Sequence, residues 1–178
     1  TAIAQIVGEE LDADPAAFIV TCAPPGEDYH LMQGGNARFT GGSFSVRSSF
    51  AHFRTLGATA RAMLIEAAAA RLAVPAGSLT TEPGRVLHAA SGRAMAYGEL
   101  AEAAAALDPP ANAPLKDPAR LRLIGARVPR LDVRAKSTGK VTYGIDVKVD
   151  GMLLAAVLHA PRAGAQPAAV TNEEALRA

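Results

Sequence analysis

Tryptophan is missing from this chain, and aromatic residues as a class make up only 4% of it. A core without large rings has to come from close helix packing or from burial against a partner. Apolar residues reach 49% of 178 positions, but 40 of them are alanine, so bulky side chains are scarce. Cysteine occurs once, at Cys22, which excludes an intrachain disulfide and a cysteine-based metal cluster. Within the apolar run Ala17–Cys22 it reads as a buried, inert thiol. No apolar run is long enough to span a bilayer. A net charge of +1 and the lack of any lysine/arginine block give no electrostatic case for nucleic acid. An initiator methionine is also lacking, and Thr1 opens directly into a helical pattern, so the start reads as a cut end.

What is present has clear organisation, enough for one domain or one domain plus part of another. Ile3, Ile6, Val7 and Leu11 recur at helical spacing, with Glu9, Glu10 and Asp12 on the other side, where the Glu9/Glu10 pair reads as a solvated face. Asp14-Pro15 breaks that helix, and Phe18–Cys22 reads as a short strand before the turn signals Pro24-Pro25-Gly26. Residues 23–38 read as loop. A long helix follows from about Ser49 to Leu72, with Phe50, Phe53, Gly57, Ala60, Leu64, Ala67 and Arg71 on one face. Gly57 and Ala60 on that face leave room for another backbone to approach.

Beyond Val74-Pro75, segments 79–81, 85–89 and 94–97 alternate with turns at Pro83-Gly84 and Ser91-Gly92, the pattern of a small antiparallel meander. Gly98–Leu107 is a further helix. Residues 108–129 carry five prolines and no period, which predicts an extended connector. Past it, 141–147, 153–159 and 168–171 read as strands, and Asn172 as the cap of a helix cut off by the end of the chain. The fold class is α+β.

The stretch Thr40-Gly41-Gly42-Ser43-Phe44-Ser45 is the principal candidate site. Paired glycines reach positive φ and allow close approach. Ser45, Ser48 and Ser49 are suited to capping, and first-turn amides attract anions. Read locally, the stretch is either a plain turn or a phosphate cradle. Arg47 is placed either to neutralise a phosphate or on an exposed face. Gln33 is better read as a polar loop residue than as a ligand contact. His30, His52, His88 and His159 stand at no ligand spacing and read as structural, and Glu173/Glu174 as a solvated face. No catalytic residue and no metal ligand is assigned.

Four blocks in order carry a resemblance: "TAIAQIVGEELDAD", "TGGSFSVRSSFAHFRTLGATARAML", "GRVLHAASGRAMAYGELAEAAA" and "RLDVRAKSTGKVTYGIDVKVDGMLLAAVLHAP". Together they resemble the large, molybdopterin-binding subunit of the molybdenum hydroxylases (xanthine oxidase family), in the branch of isoquinoline 1-oxidoreductase and the bacterial aldehyde dehydrogenases. Phe44, where relatives often have a small residue, and Asp150, where proline commonly precedes Gly-Met, depart from the pattern.

The resemblance implies part of a molybdopterin-binding domain over 1–107, the connector 108–129, and the incomplete start of an α/β hammerhead domain over 130–178. It implies a molybdopterin dinucleotide, of the cytosine type, carrying molybdenum, with Thr40, Gly41, Gly42, Ser43, Ser45 and Arg47 beside its phosphates. The implied activity is oxidation of an aldehyde or N-heterocycle with water-derived oxygen. The implied partners are the remainder of the large subunit, a small subunit with 2Fe–2S clusters that receive the electrons, and a cytochrome c subunit. A periplasmic or membrane-associated complex is favoured over a cytoplasmic one. The family's catalytic glutamate belongs to a later part of such a subunit, so the chain alone is expected to be inactive. The alternative is a non-catalytic structural module packed on a larger subunit.

Overall fold

Leu100 and Val86, both fully buried, mark the centre of the apolar core in the computed structural model. The structure describes residues 1–14, 17–21, 23, 41–166, 168–169, 171–172 and 174. It divides into two units, Thr1–Val133 and Arg134–Ala178. Cys22, His30, Gln33, Thr40 and Glu173 lie outside the described residues, as does nearly all of the expected loop 23–38.

Helix α1 spans Ala2–Leu11, the one-turn α2 Phe44–Arg47, and α3 Phe50–Leu72. The long α3 stops where Ala73 turns left-handed (φ 53) and Pro75 follows, since proline cannot continue the ladder. The meander then forms as β1 (Thr80–Glu82), β2 (Arg85–His88) and β3 (Arg93–Ala96), antiparallel in the order β1-β2-β3. Register is set by the Pro83-Gly84 turn, with Gly84 at φ 77, and Thr81 pairs with Val86, which pairs with Met95. Helix α4 (Tyr97–Ala105) follows at once, and Glu99 accepts a hydrogen bond from the Ala96 amide at 2.7 Å to close its first turn.

The core joins the second half of α3 (Leu64, Ala67, Ala68, Leu72) to Leu79, Val86, Leu100 and Ala104. Alanine brings backbones close, which lets a chain without large rings still exclude water. At the other end of α3 a β-carbon on Gly57 would collide with the Val7 carbonyl oxygen and Glu10 Cβ, so the expected close approach there is made by α1. The expected helix face is buried through its middle, at Gly57, Leu64 and Ala67, but not at its two ends, and burial spreads to neighbouring positions. Phe50 is 37% exposed and Arg71 is exposed, while Ala58, Ala68, Ala69 and Leu72 are buried, because α3 meets α1 at one end and α4 with the meander at the other.

Several expected strands are not formed. Residues 18–21 are irregular: Phe18 lies against Gly8 while Ile19 is 93% exposed, and no neighbouring strand among the described residues supplies a ladder. In the second unit, 141–147 holds only a 3-10 turn at Gly144–Asp146, and 153–159 has no regular structure. The described residues of 168–171 are not in a strand either. Leu153, Leu154 and Leu158 are 93%, 89% and 97% exposed, so the apolar side chains that would stabilise a sheet have nothing to pack on. A short helix, α5 (Val133–Ser137), has no counterpart in the sequence pattern. The helix expected after Asn172 lies almost entirely outside the described residues.

Candidate functional site

The Gly-Gly-Ser stretch forms a tight turn. Gly42 (φ 53) and Ser43 (φ 57) are both left-handed, and the Phe44 amide donates to the Gly41 carbonyl at 3.0 Å. Two successive positive φ values are the pattern of a type I′ turn. Gly42 is therefore required by the turn itself. Ser43 is the notable residue, since a non-glycine here carries strain of about 1–3 kcal/mol.

The turn leads into α2, whose Ser45 and Val46 amides have no backbone acceptor among the described residues. The Ser43 and Ser45 hydroxyls have no hydrogen-bond partner there either. Arg47 is exposed, with its guanidinium 4.5 Å above the Phe44 ring. Stacking fixes the direction of that cation without neutralising it. Donors, hydroxyls and one cation thus converge on a short exposed turn, a set suited to an anion such as a phosphate. None of the three capping serines makes a side-chain cap: Ser48 Oγ instead donates back to the Phe44 carbonyl at 2.7 Å, and Ser49, at the N-cap of α3, is buried without a cap bond. Beside the turn, Val46 shares an apolar groove of about 710 Å3 with Ile3, Val7, Leu11, Phe18 and Val20.

The largest correction concerns the acidic face of α1. Glu9 and Glu10 are fully buried and Asp12 is 6% exposed, so this is no solvated face. Residues 114–124, a strap from the proline-rich segment, cover it. Glu9 Oε2 accepts three successive backbone amides, from Arg122 (2.9 Å), Leu123 and Ile124 (2.9 Å). Its Oε1 has no hydrogen bond and lies 3.6 Å from Lys116 Nζ. Glu10 accepts from Arg54 Nε at 2.7 Å and from the Lys116 amide at 2.9 Å, with Arg61 3.7 Å away. Arg54 and Arg61 also donate to the strap carbonyls of Lys116 and Pro114, both at 2.8 Å. Asp12 accepts from Thr81 Oγ1, Lys116 Nζ and Arg122 Nη2.

Burial alone would raise the Glu9 carboxyl, but the amides of Ile124, Arg122 and Leu123 and the charge of Lys116 outweigh it and hold the group below its ordinary value. Asp12 likewise lies below its ordinary value: burial raises it, and Lys116, Thr81 and Arg122 more than compensate. Burial and the Asp12 charge push the Tyr97 phenol up to about 12, while its hydroxyl donates to the Leu11 carbonyl at 2.7 Å.

These charges are paired with one another and with the strap amides within the first unit. Among the described residues no group of three or more His, Cys, Asp or Glu side chains could hold a metal ion. His88 bonds Ser91 Oγ through Nδ1 at 2.7 Å, His52 packs edge-on to Phe53, and His159 is exposed. No helix among the described residues is long and apolar enough to cross a membrane.

Three known proteins are similar to this chain. The beta subunit of isoquinoline 1-oxidoreductase from Brevundimonas diminuta is 34% identical over 206 residues, taking in 97% of this chain and 26% of that protein. The B component of nicotinate dehydrogenase from Pseudomonas putida is 34% identical over 170 residues, 92% of this chain and 13% of that protein. A membrane-bound aldehyde dehydrogenase (pyrroloquinoline-quinone) of Gluconacetobacter polyoxogenes is 33% identical over 159 residues, 86% of this chain and 20% of that protein. The chain therefore spans between 13% and 26% of the length of these relatives. No family model matches it.

Proposed function

We infer the function from one premise: the chain belongs to the molybdenum hydroxylase family over the region it shares with its relatives. On that premise it is part of the large subunit of an oxidoreductase that hydroxylates an aldehyde or an N-heterocycle with oxygen from water. Residues 1–107 contribute to the molybdopterin-binding domain, 108–129 connect, and 130–178 open the α/β hammerhead domain. Electrons pass to 2Fe–2S clusters on a small subunit, with a cytochrome c subunit as a further partner, in a periplasmic or membrane-associated complex. A bound molybdopterin cytosine dinucleotide supplies the redox chemistry, and the protein supplies binding and orientation.

This chain's share of that work is assigned to residues Thr40, Gly41, Gly42, Ser43, Ser45 and Arg47. The Ser45 and Val46 amides, the Ser43 and Ser45 hydroxyls and the Arg47 guanidinium are the groups that would hold the dinucleotide's phosphates. The observation carrying this reading is Ser43. A serine at φ 57, exposed, with its hydroxyl unbonded among the described residues, keeps a strain that glycine would relieve. Retained strain of this kind suits a group held ready for a ligand.

Ser43→Gly separates the readings because it keeps the turn and removes only the hydroxyl. In the intact protein, Ser43→Gly and Arg47→Gln are each expected to lower molybdenum and cytidine nucleotide per mole of folded protein. A hydrogen bond to a charged group contributes about 1.5–3 kcal/mol, so occupancy under limiting cofactor falls roughly tenfold or more. The melting temperature of Ser43→Gly should hold or rise. Full occupancy in both folded variants would reduce the turn to a structural element of a non-catalytic module. Recovery of pyrroloquinoline quinone instead of a pterin nucleotide would reassign the cofactor.

A further inference from the structure

The strap 114–124 is attached to α1 and α3 by a dense set of polar contacts. Leu115 is 44% exposed, and although Leu121, Leu123 and Ile124 are half-buried, no strap side chain belongs to the apolar core or packs against it. Its attachment instead comes from α1 and α3: Glu9 takes the amides of 122–124, Glu10 takes the Lys116 amide, and Arg54 and Arg61 take two strap carbonyls. Asp12 holds the Lys116 and Arg122 side chains. By contrast, α1 and α3 are locked together at Gly57, and the apolar core lies between α3, α4 and the meander.

We propose that the strap is a clasp that opens as a unit while α1, α3 and the core stay folded, with Glu9 as its pin. Opening leaves the apolar core intact, exposing only the half-buried Leu121, Leu123 and Ile124, and returns Glu9, Glu10 and Asp12 to water, where carboxylates are well solvated. The groups facing the clasp are Arg54 and Arg61 from α3, Thr81 from β1, Tyr97 from α4, and Lys116 and Arg122 from the strap itself. Closed, the strap walls a polar cavity of about 510 Å3 with Asp12 and Thr81, and it fixes the path of the chain between α4 and the end of the first unit. Open, it frees that path and dismantles the cavity, which the strap residues Lys116, Ala119, Arg120, Leu121 and Arg122 help to wall.

Native-state hydrogen exchange on the intact protein in low denaturant tests this. The amides of Lys116, Arg122, Leu123 and Ile124 should exchange through an opening with a shallower denaturant dependence than the amides of 64–72. Equal slopes would show one cooperative unit and overturn the proposal, and that measurement needs no variant. In Glu9→Gln, protection at 122–124 should fall roughly tenfold to a hundredfold while 64–72 stay unchanged. Unchanged protection at 122–124, or an equal loss across the core, would each overturn it.

Discussion

Tyr97 joins the end of α1 to the start of α4 through one hydroxyl, and burial with a nearby carboxylate raises its phenol to about 12. An unfolded tyrosine ionises near pH ~10, so between those values the unfolded state binds fewer protons than the folded one. The tyrosine contribution to stability is therefore complete below pH ~10 and is lost as pH rises towards 12. Phenolate absorbance should show one late-titrating tyrosine that disappears in Tyr97→Phe. The same variant should lose about 1 kcal/mol at neutral pH in urea unfolding, from the Leu11 carbonyl left unpaired. At this scale the sequence is least legible. Glu9 and Glu10 look like solvent-facing acids because their strap partners lie more than a hundred positions away, at Lys116 and Arg122–Ile124. Those partners bond through backbone amides, which leave no trace in residue type. Ser43 stands in the sequence as one member of a Gly-Gly-Ser turn, but its own positive φ follows from the geometry of closing that turn on Phe44.

Among the elements, α1, α3, the meander and α4 are readable because period and punctuation agree there: Pro75 ends one pattern, Pro83-Gly84 and Gly92 set the turns, and Glu99 closes the first turn of α4. The role of Gly57 is legible for the same reason, as a small residue on an otherwise packed face. Gly57→Ala should push α1 away from α3, and overpacking of this kind costs about 1–3 kcal/mol. Because α1 also carries the strap, that variant should lose exchange protection at 122–124 as well as melting temperature. Leu100→Ala acts elsewhere, emptying the centre of the core at a cost of about 2–5 kcal/mol without touching the carboxylates.

For the whole molecule, the two units differ in what supports them. The first has an apolar core and a ring of buried charges, whereas Ile145, Leu153, Leu154 and Leu158 in the second are nearly fully exposed. The side-chain pattern predicts strands there, but pattern only marks a face fit for pairing. A ladder needs neighbours, and sequence periodicity does not supply them. The buried charges make the first unit acid-sensitive. Glu9 and Asp12 both titrate below their ordinary values when folded, so their contribution is complete above pH ~4 and is lost as pH falls through the lowered values. Melting curves from neutral pH downward should be flat and then fall steeply, and Glu9→Gln should flatten that acid limb.

The two ways in which α1 grips the strap have different consequences for how the sequence can drift. Toward residues 122–124 Glu9 reads main-chain amides, so the side chains at 123 and 124 are free to vary under it as long as neither is proline. Asp12 reads the side chains of Lys116 and Arg122, so a change at position 12 calls for a compensating change at those sites. A deletion within α1 would turn its last residues by about 100° and break both grips at once. Across a set of homologues, position 12 should covary with 116 and 122, position 9 should covary with 116 but not with 122–124, and the length of α1 should not change.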